Sequence, residues 1–240
     1  MAKKFKYSFI IPCYNEEDYI VRLLESLARL RFEVDEFEVV VVDNNCNDGT
    51  VERVWEYSFS SNLNLRIVHE YNRGVSKARN LGAIKSLGKY LIFLDADNVV
   101  HANFLSDLDK SVRDNFGAFF SIRTIPDCVS IRGGILFYLL EVIKKYSWRQ
   151  FGKSVVRRDV FYSINGFNPN IKLGENVDFM VRARMWAKQK NQKFGHIRTP
   201  IYCSLRRFEK VGYIKILVPW FFAYCGIKTL PYETMDNLDV

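Results

Sequence analysis

The chain has few of the residues that would staple a small or metal-bound fold. Its five cysteines (Cys13, Cys46, Cys128, Cys203, Cys225) are scattered, odd in number and never in a C-x-x-C pair. The three histidines, His69, His101 and His196, do not cluster with them. That pattern argues against a structural zinc site or a disulfide framework and for a reducing compartment. Long apolar runs are missing too. Near the N-terminus Phe9-Ile10-Ile11 stops at Pro12, too short for a secretory signal core. The longest apolar stretch, 216–227, falls short of the ~20 residues that cross a bilayer. No linker rich in Pro, Gly or Ser divides the chain, and no internal repeat is visible. Acids are outnumbered: 27 Asp and Glu against 35 Lys and Arg give a net charge of +8, which suits nucleic acid, an anionic membrane surface or a phosphorylated ligand.

What is present is a core. Of the 240 residues, 48% are apolar and 15% aromatic, which excludes a disordered chain. The N-terminal half alternates strand and helix patterns. Strands are predicted at 7–11, 38–42, 65–68 and 90–94, the second carrying four consecutive valines as a strand covered on both faces does. Helices are predicted at 20–30, 50–57, 75–87 (with Gly88 as terminator) and 103–114. This β-α-β-α order implies an α/β fold with a mostly parallel sheet flanked by helices. In such sheets ligands bind beyond the carboxyl ends of the strands. Four polar segments fall there: 13–16, 43–45, 70–73 and 95–98. After Gly117 the pattern loosens into a strand at 118–123, a helix-like run at 135–143, a short strand at 154–157 and a helix at 175–188.

Each segment admits a chemical and a plain structural reading. Asp95-Ala96-Asp97, two carboxylates at the end of an apolar strand, can share a hard cation such as Mg2+ or Mn2+, or can be solvated turn residues. Pro12-Cys13-Tyr14-Asn15-Glu16-Glu17 can offer backbone groups, a ring and a carboxylate to a nucleobase, or can start a helix with Asn15 as cap. Asp43 can accept from a base N–H, although the following Asn/Asp/Gly cluster suits any tight turn. Arg73, Lys77 and Arg79 surround a helix start where a diphosphate would bind, or form a solvated face. His101 stands close enough to the D-x-D to approach a metal, or is a helix-start surface residue.

Taken together, Ile11-Pro12-Cys13-Tyr14-Asn15-Glu16, Val41-Val42-Asp43-Asn44, Asp48-Gly49-Thr50, Gly74 with Ala78-Arg79-Asn80, and Leu94-Asp95-Ala96-Asp97 resemble the family 2 inverting glycosyltransferases of the GT-A fold. The likeness runs from about residue 7 to about residue 184 and includes polyprenyl-phosphate sugar synthases and related membrane-associated transferases. The resemblance implies that Pro12, Tyr14 and Glu16 line a nucleoside pocket and that Asp43 contacts the base. Arg73, Lys77 and Arg79 lie near the donor, with Arg73 or Lys77 on the phosphates. Asp95 sits by the ribose and metal, and Asp97 is a direct ligand of Mn2+ or Mg2+, which neutralises the departing diphosphate. One landmark departs from the pattern. After Gly166-Phe167 such enzymes place Glu-Asp at a helix start, the Asp being the general base, and here the segment reads Gly174-Glu175-Asn176-Val177-Asp178. Either Glu175 or Asp178 is the base, or the acceptor is a phosphate that needs none; both acids also suit a helix first turn.

Residues 144–158 hold six Lys or Arg and no acid, and Arg206, Arg207, Lys210 and Lys215 follow. With the aromatic-rich run 216–227 they suggest an interfacial membrane segment, the stump of a span, or a buried C-terminal helix. The expected organisation is a catalytic domain at 1–204 and a basic, apolar C-terminal helical segment at 205–240. The expected activity is metal-dependent transfer, with inversion, of a hexose from a GDP- or UDP-sugar (GDP-mannose or UDP-glucose type) to a membrane-linked lipid or glycan. The expected location is the cytoplasm or the cytoplasmic face of a membrane. Alternatives are a soluble polysaccharide or protein glycosyltransferase, a non-catalytic nucleotide-sugar-binding scaffold, and a basic nucleic-acid-binding module. The last lacks any recognisable nucleic-acid motif.

Overall fold

The computed structural model describes residues 5–115, 117–147 and 152–225. Its centre is an eight-stranded sheet of order β3-β2-β1-β4-β7-β6-β8-β5. The strands are β1 (Tyr7–Cys13), β2 (Phe37–Asp43), β3 (Leu65–His69), β4 (Tyr90–Phe93), β5 (Val99–Val100), β6 (Phe119–Pro126), β7 (Ser154–Arg157) and β8 (Phe194–Cys203). β1 pairs in parallel with both β2 and β4, and β2 with β3. β7 enters antiparallel between β4 and β6, β8 runs parallel to β6, and short β5 closes the edge antiparallel to β8. The expected mostly parallel α/β sheet is therefore present, and the sequence pattern missed β5 and β8.

Alternation along β1 explains the layers. Phe9 and Ile11 face one core with Leu23, Leu24 and Leu27 of α1 (Ile20–Ala28), Val54 of α2 (Thr50–Ser60) and Phe104 and Leu108 of α4 (Phe104–Asn115). Ile10 faces the other, with Ala78 and Ala83 of α3 (Val75–Lys85), Val160 and Phe161 of α6 (Arg158–Ser163), and Phe179 and Met180 of α7 (Glu175–Gln189). Period-2 strands covered on both sides read as continuous apolar runs, as the four valines of β2 do. α3 lies close on the sheet because Gly82 has no side chain: a Cβ there would stand 2.5 Å from Ile10 Cγ2 and 2.9 Å from Val42 Cγ2. A third cluster lies apart from both, where Leu136 and Phe137 of α5 (Ile131–Tyr146) meet Leu205, Phe208 of α8 (Arg206–Val211) and Ile216 of α9 (Tyr213–Cys225).

Two expected helix-end roles are not met. α3 ends at Lys85 with Ser86 extended, so Gly88 does not terminate it; Gly88 lies where a Cβ would strike Ser8 Oγ and the backbone of Tyr7 and Ser8. α1 begins at Ile20, with the Glu16 carbonyl accepting from Tyr19 and Ile20 N–H. Asn15 is therefore not its cap. It takes a left-handed φ of 52° and accepts from Asn47 N–H at 3.0 Å.

The amino ends of the parallel strands are locked by one buried acid. Glu38 on β2, fully buried, accepts from Ser8 Oγ at 2.7 Å, Arg66 at 2.6 Å and Gly88 N–H at 3.2 Å. Glu38→Leu should cost about 2–3 kcal/mol in urea unfolding, because it strands the buried Ser8 hydroxyl and takes the acceptor from the Leu87 amide. Arg66→Ala should cost at least as much, because it leaves the Glu38 carboxylate, 1% exposed, without its cation; a loss below about 1 kcal/mol for either variant would contradict this assignment.

Candidate functional site

The strand order reverses at β1, whose sequence successor β2 lies on one side and β4 on the other. The crevice beyond the carboxyl ends of these strands is where an open α/β sheet binds ligands. The loops there are pinned to one another. Asn44, buried, donates its amide to the Glu70 and Asn72 carbonyls at 3.0 and 3.1 Å and accepts from Gly74 N–H at 2.8 Å. Thr50 Oγ1 accepts from Glu16 N–H at 2.7 Å, and Glu17 accepts from Gly49 N–H at 2.8 Å. The Asp48-Gly49-Thr50 turn thus fastens the first loop to the second.

On this rim lie most of the predicted residues. Pro12 is half-buried at the end of β1. Tyr14 carries the Arg73 guanidinium 4.0 Å over its ring, so those two are together. Asp43 accepts from Cys46 N–H at 2.8 Å and faces His69 Nδ1 at 2.9 Å. Partial burial opposes its charge, but these two donors hold its carboxyl below the ordinary value. Lys77 is exposed on the first turn of α3.

Arg79 turns the other way. Its side chain is 5% exposed and bridges Asp95 at 3.0 Å and Glu175 at 2.9 Å, with its guanidinium 5.2 Å over the Phe167 ring. One cation thereby ties the segment after β4 to the first turn of α7. The Gly166-Phe167 segment is fixed by Asn80, whose side-chain amide donates to Phe167 O at 2.8 Å and accepts from Phe167 N–H at 2.9 Å. Asn176 donates to Glu175 Oε1 at 3.0 Å, so the amide in the position of the expected acid orients its neighbour. Asp178 pairs instead with Arg182 at 2.7 Å on its own helix, and Glu175, not Asp178, is joined to Asp95.

Asp95 also pairs with Lys153, yet its side chain stays 44% exposed, within reach of a ligand. Burial works against ionisation, but Lys153 and Arg79 outweigh it and hold the Asp95 carboxyl well below the usual carboxylate range. Asp97 is pushed up, first by burial and then by the charge of Asp95. Asn98 accepts from Asp95 N–H at 3.0 Å and donates to Asp97 Oδ1 at 3.1 Å, fixing the turn. The chemistry of this pair suits a hard divalent cation: Asp97 is bonded by Asn98 and lies 3.4 Å from Arg206 Nε, and burial with the Asp95 charge outweighs the pull of Lys153, Arg206 and Arg207. Among the described residues no group of three or more His, Cys, Asp or Glu is placed to hold a metal. A metal here would take its other ligands from water and phosphate oxygens, as Mg2+ does. His101 accepts from Asn103 N–H at 3.2 Å at the start of α4, which is the surface role.

Two residues of the site came from no motif. Lys153 precedes β7, and Arg206 opens α8, which the sequence assigns to the C-terminal segment. Arg206 pairs with Glu16 and Asp97 and lies 4.2 Å over the Tyr19 ring. The basic stretch is likewise mostly spent inside. Lys144 is 3% exposed and pairs with Glu141 at 2.6 Å. Arg157 pairs with Asp159, and Arg158 donates to the Gly88 and Ala83 carbonyls. Arg149 lies outside the described residues. Among the described residues of this stretch, Lys144, Lys153, Arg157 and Arg158 are thus engaged in contacts within the protein.

Comparison with known proteins gives the class first. The chain superposes on the mannosyltransferase PcManGT from Pyrobaculum calidifontis, solved with GDP-Man and Mn2+, at a TM-score of 0.72 and 18% identity, covering 99% of this chain and 70% of that one. Staphylococcus aureus TarS 1–349 with UDP-GlcNAc gives 0.66 at 24% identity, covering 83% and 58%. These likenesses establish the GT-A fold. Residues 8–151 match the family described as Glycosyl transferase family 2, and the chain belongs to that family. It is 38% identical over 102 residues to the poly(ribitol-phosphate) beta-N-acetylglucosaminyltransferase TarS of Staphylococcus aureus, 42% of this chain but 18% of TarS. It is 29% identical over 184 residues to the glycosyltransferase AglE of Haloferax volcanii, 73% of this chain and 60% of AglE. The matches thus span less than two thirds of either relative.

Glu16 supplies a test of this site without any ligand. Burial, opposed by Arg206, raises its pKa from 4.5 to about 7. The folded state therefore keeps a proton that the unfolded chain releases, and stability falls as pH rises from about 4.5 to about 7. Urea midpoints at about pH 5 and about pH 7.5 should differ more for the wild type than for Glu16→Gln; identical differences would contradict the burial of this acid.

Proposed function

We propose that the chain is a glycosyltransferase that moves a hexose, with inversion, from a nucleoside-diphosphate sugar of the GDP-mannose or UDP-glucose type. The observation that carries this reading is the convergence of Asp95, Asp97, Arg79 and Glu175 at the rim where Tyr14, Arg73 and Asp43 also lie. Tyr14, with Pro12 and Glu16, is suited to the nucleoside. Asp43, kept ionised, can accept from a base N–H. Arg73 and Lys77 are the exposed cations on the phosphate side of α3, beside a helix start.

Asp95 and Asp97 would hold Mn2+ or Mg2+, which when bound stabilises charge on the diphosphate leaving group. Arg79 and Lys153 keep Asp95 ionised for that task. Glu175 is suited to take the proton of the attacking hydroxyl, oriented by Arg79 and by Asn176. A second reading has one observation in its favour: an amide occupies position 176, so a phosphate acceptor, already anionic, could attack unaided. The proposed acceptor is a membrane-linked lipid or glycan, met at the cytoplasmic face. Residues 1–204 would carry donor chemistry and 205–240 the contact with the acceptor's surroundings, Arg206 linking the two. A scaffold without activity would bind donor and leave it intact.

With Mn2+ and a panel of UDP- and GDP-hexoses, Asp97→Ala should lower turnover by about a hundredfold or more, and unchanged turnover would remove the metal assignment. Glu175→Gln should lower kcat about 10²–10⁴-fold with little change in KM, while Asp178→Asn should cost less than about tenfold. Full activity in Glu175→Gln, together with transfer to a lipid phosphate, would favour the unaided attack.

A further inference from the structure

α5 is apolar on both sides. Inward, Leu136 and Phe137 pack on Leu205, Phe208 and Ile216. Outward, Ile131, Ile135, Tyr138, Leu139, Ile143 and Tyr146 are all exposed, between 45% and 83%, at the spacing of one helix face. α9 repeats the arrangement: Ile216 and Trp220 join the shared cluster, while Ile214, Val218 and Phe221 stand outside. A hydrogen bond between Ser147 and Tyr224 ties the far ends of the two helices. Contiguous exposed apolar surface on this scale marks an interaction site rather than ordinary surface.

The exposed charges on the same helices are of one sign. Arg132 and Lys145 are exposed on α5 and Lys215 on α9. The single acid of α5, Glu141, is turned inward to Lys144 and Thr124, and α9 contains none. The nearest exposed acid along the chain, Glu209, belongs to α8 and stands beside Arg207 and Lys210.

We infer that the outward face of α5 and α9 docks on an anionic lipid surface. Apolar side chains would enter the headgroup boundary, tyrosines would sit at its polar edge, and Arg132, Lys145 and Lys215 would face lipid phosphates. A second copy of the chain fits less well. Two-fold pairing through this face would set cation against cation with no outward-facing acid on either helix to answer them. The contact is interfacial, since no helix among the described residues is long and apolar enough to cross a bilayer. It also has a direction. α8 joins this face to the rim, because Leu205 packs against α5 while the next residue, Arg206, reaches Glu16 and Asp97. A site so mounted opens beside the membrane, which deepens the proposed use of a membrane-linked acceptor and rests on it.

The test is co-sedimentation of the 240-residue chain with vesicles of phosphatidylcholine, with and without phosphatidylglycerol. Binding should require the anionic lipid and weaken with salt. The triple variant Ile131→Ser, Ile135→Ser, Leu139→Ser should bind at least about tenfold more weakly, and Arg132→Ala with Lys145→Ala severalfold more weakly. Both variants should still be stabilised by UDP or GDP in a thermal shift, which shows them folded. Absence of vesicle binding by the wild type, or equal binding by the triple variant, would overturn the inference. So would a dimer in sedimentation velocity that the triple variant dissociates while vesicles go unbound, since a second copy would then cover the face. Vesicle binding without donor binding would leave the docking surface standing and defeat the transferase reading, so the two fail separately.

Discussion

The arrangement depends on one buried cation. Arg79 enters the core from the first turns of α3 with its side chain 5% exposed, a position no arginine occupies without anionic partners. It has two, Asp95 and Glu175, from segments 80 residues apart in the sequence. Removing either would leave the guanidinium with half its counter-charge in a region closed by Phe167 and Phe179, whose rings stack at 4.1 Å. The bridge therefore fixes the distance between the end of β4 and the start of α7. Other groups of the rim are set relative to it, Lys153 through Asp95 and Asn176 through Glu175.

That constraint also sets the electrostatics. Arg79 and Lys153 overcompensate Asp95, whereas at Asp97 burial and the Asp95 charge outweigh Lys153, Arg206 and Arg207. Arg206 is shared between Glu16 and Asp97 and satisfies neither fully; Glu16 Oε2 is buried without a partner. Anionic demand not met by the protein's own cations is what a divalent ion and a diphosphate would complete together. The opposite, amino end of the sheet is closed differently, by Glu38 with its complete set of donors, and carries no such surplus.

Much of this was legible before the structure because parallel β-α units announce themselves locally. Runs such as 39–42 and 90–94 ended at polar clusters, and the rule that ligands bind beyond strand ends put Tyr14, Asp43, Arg73 and Asp95 on one rim. Arg206 and Lys153 were not legible. Their roles depend on β7 entering antiparallel beside β4 and on α8 folding back, both long-range events with no local period. Arg79 was seen as a donor-side cation, and only packing against Phe167 reveals that it faces inward. Charge counts at 144–158 are blunt for a related reason: they do not tell a lysine buried against Glu141 from one in water. The outward face of α5 escaped as well, since a helix apolar all round reads as buried.

The account stands on Asp95 and Asp97 gripping a divalent cation together with the diphosphate of a donor. Calorimetric titration of Mn2+ into the protein, with and without UDP or GDP, measures that grip directly. The account predicts metal uptake that is strong only with the nucleotide present and that disappears in Asp95→Asn. Nucleotide binding of equal strength with and without Mn2+, unaltered by Asp95→Asn, would contradict it.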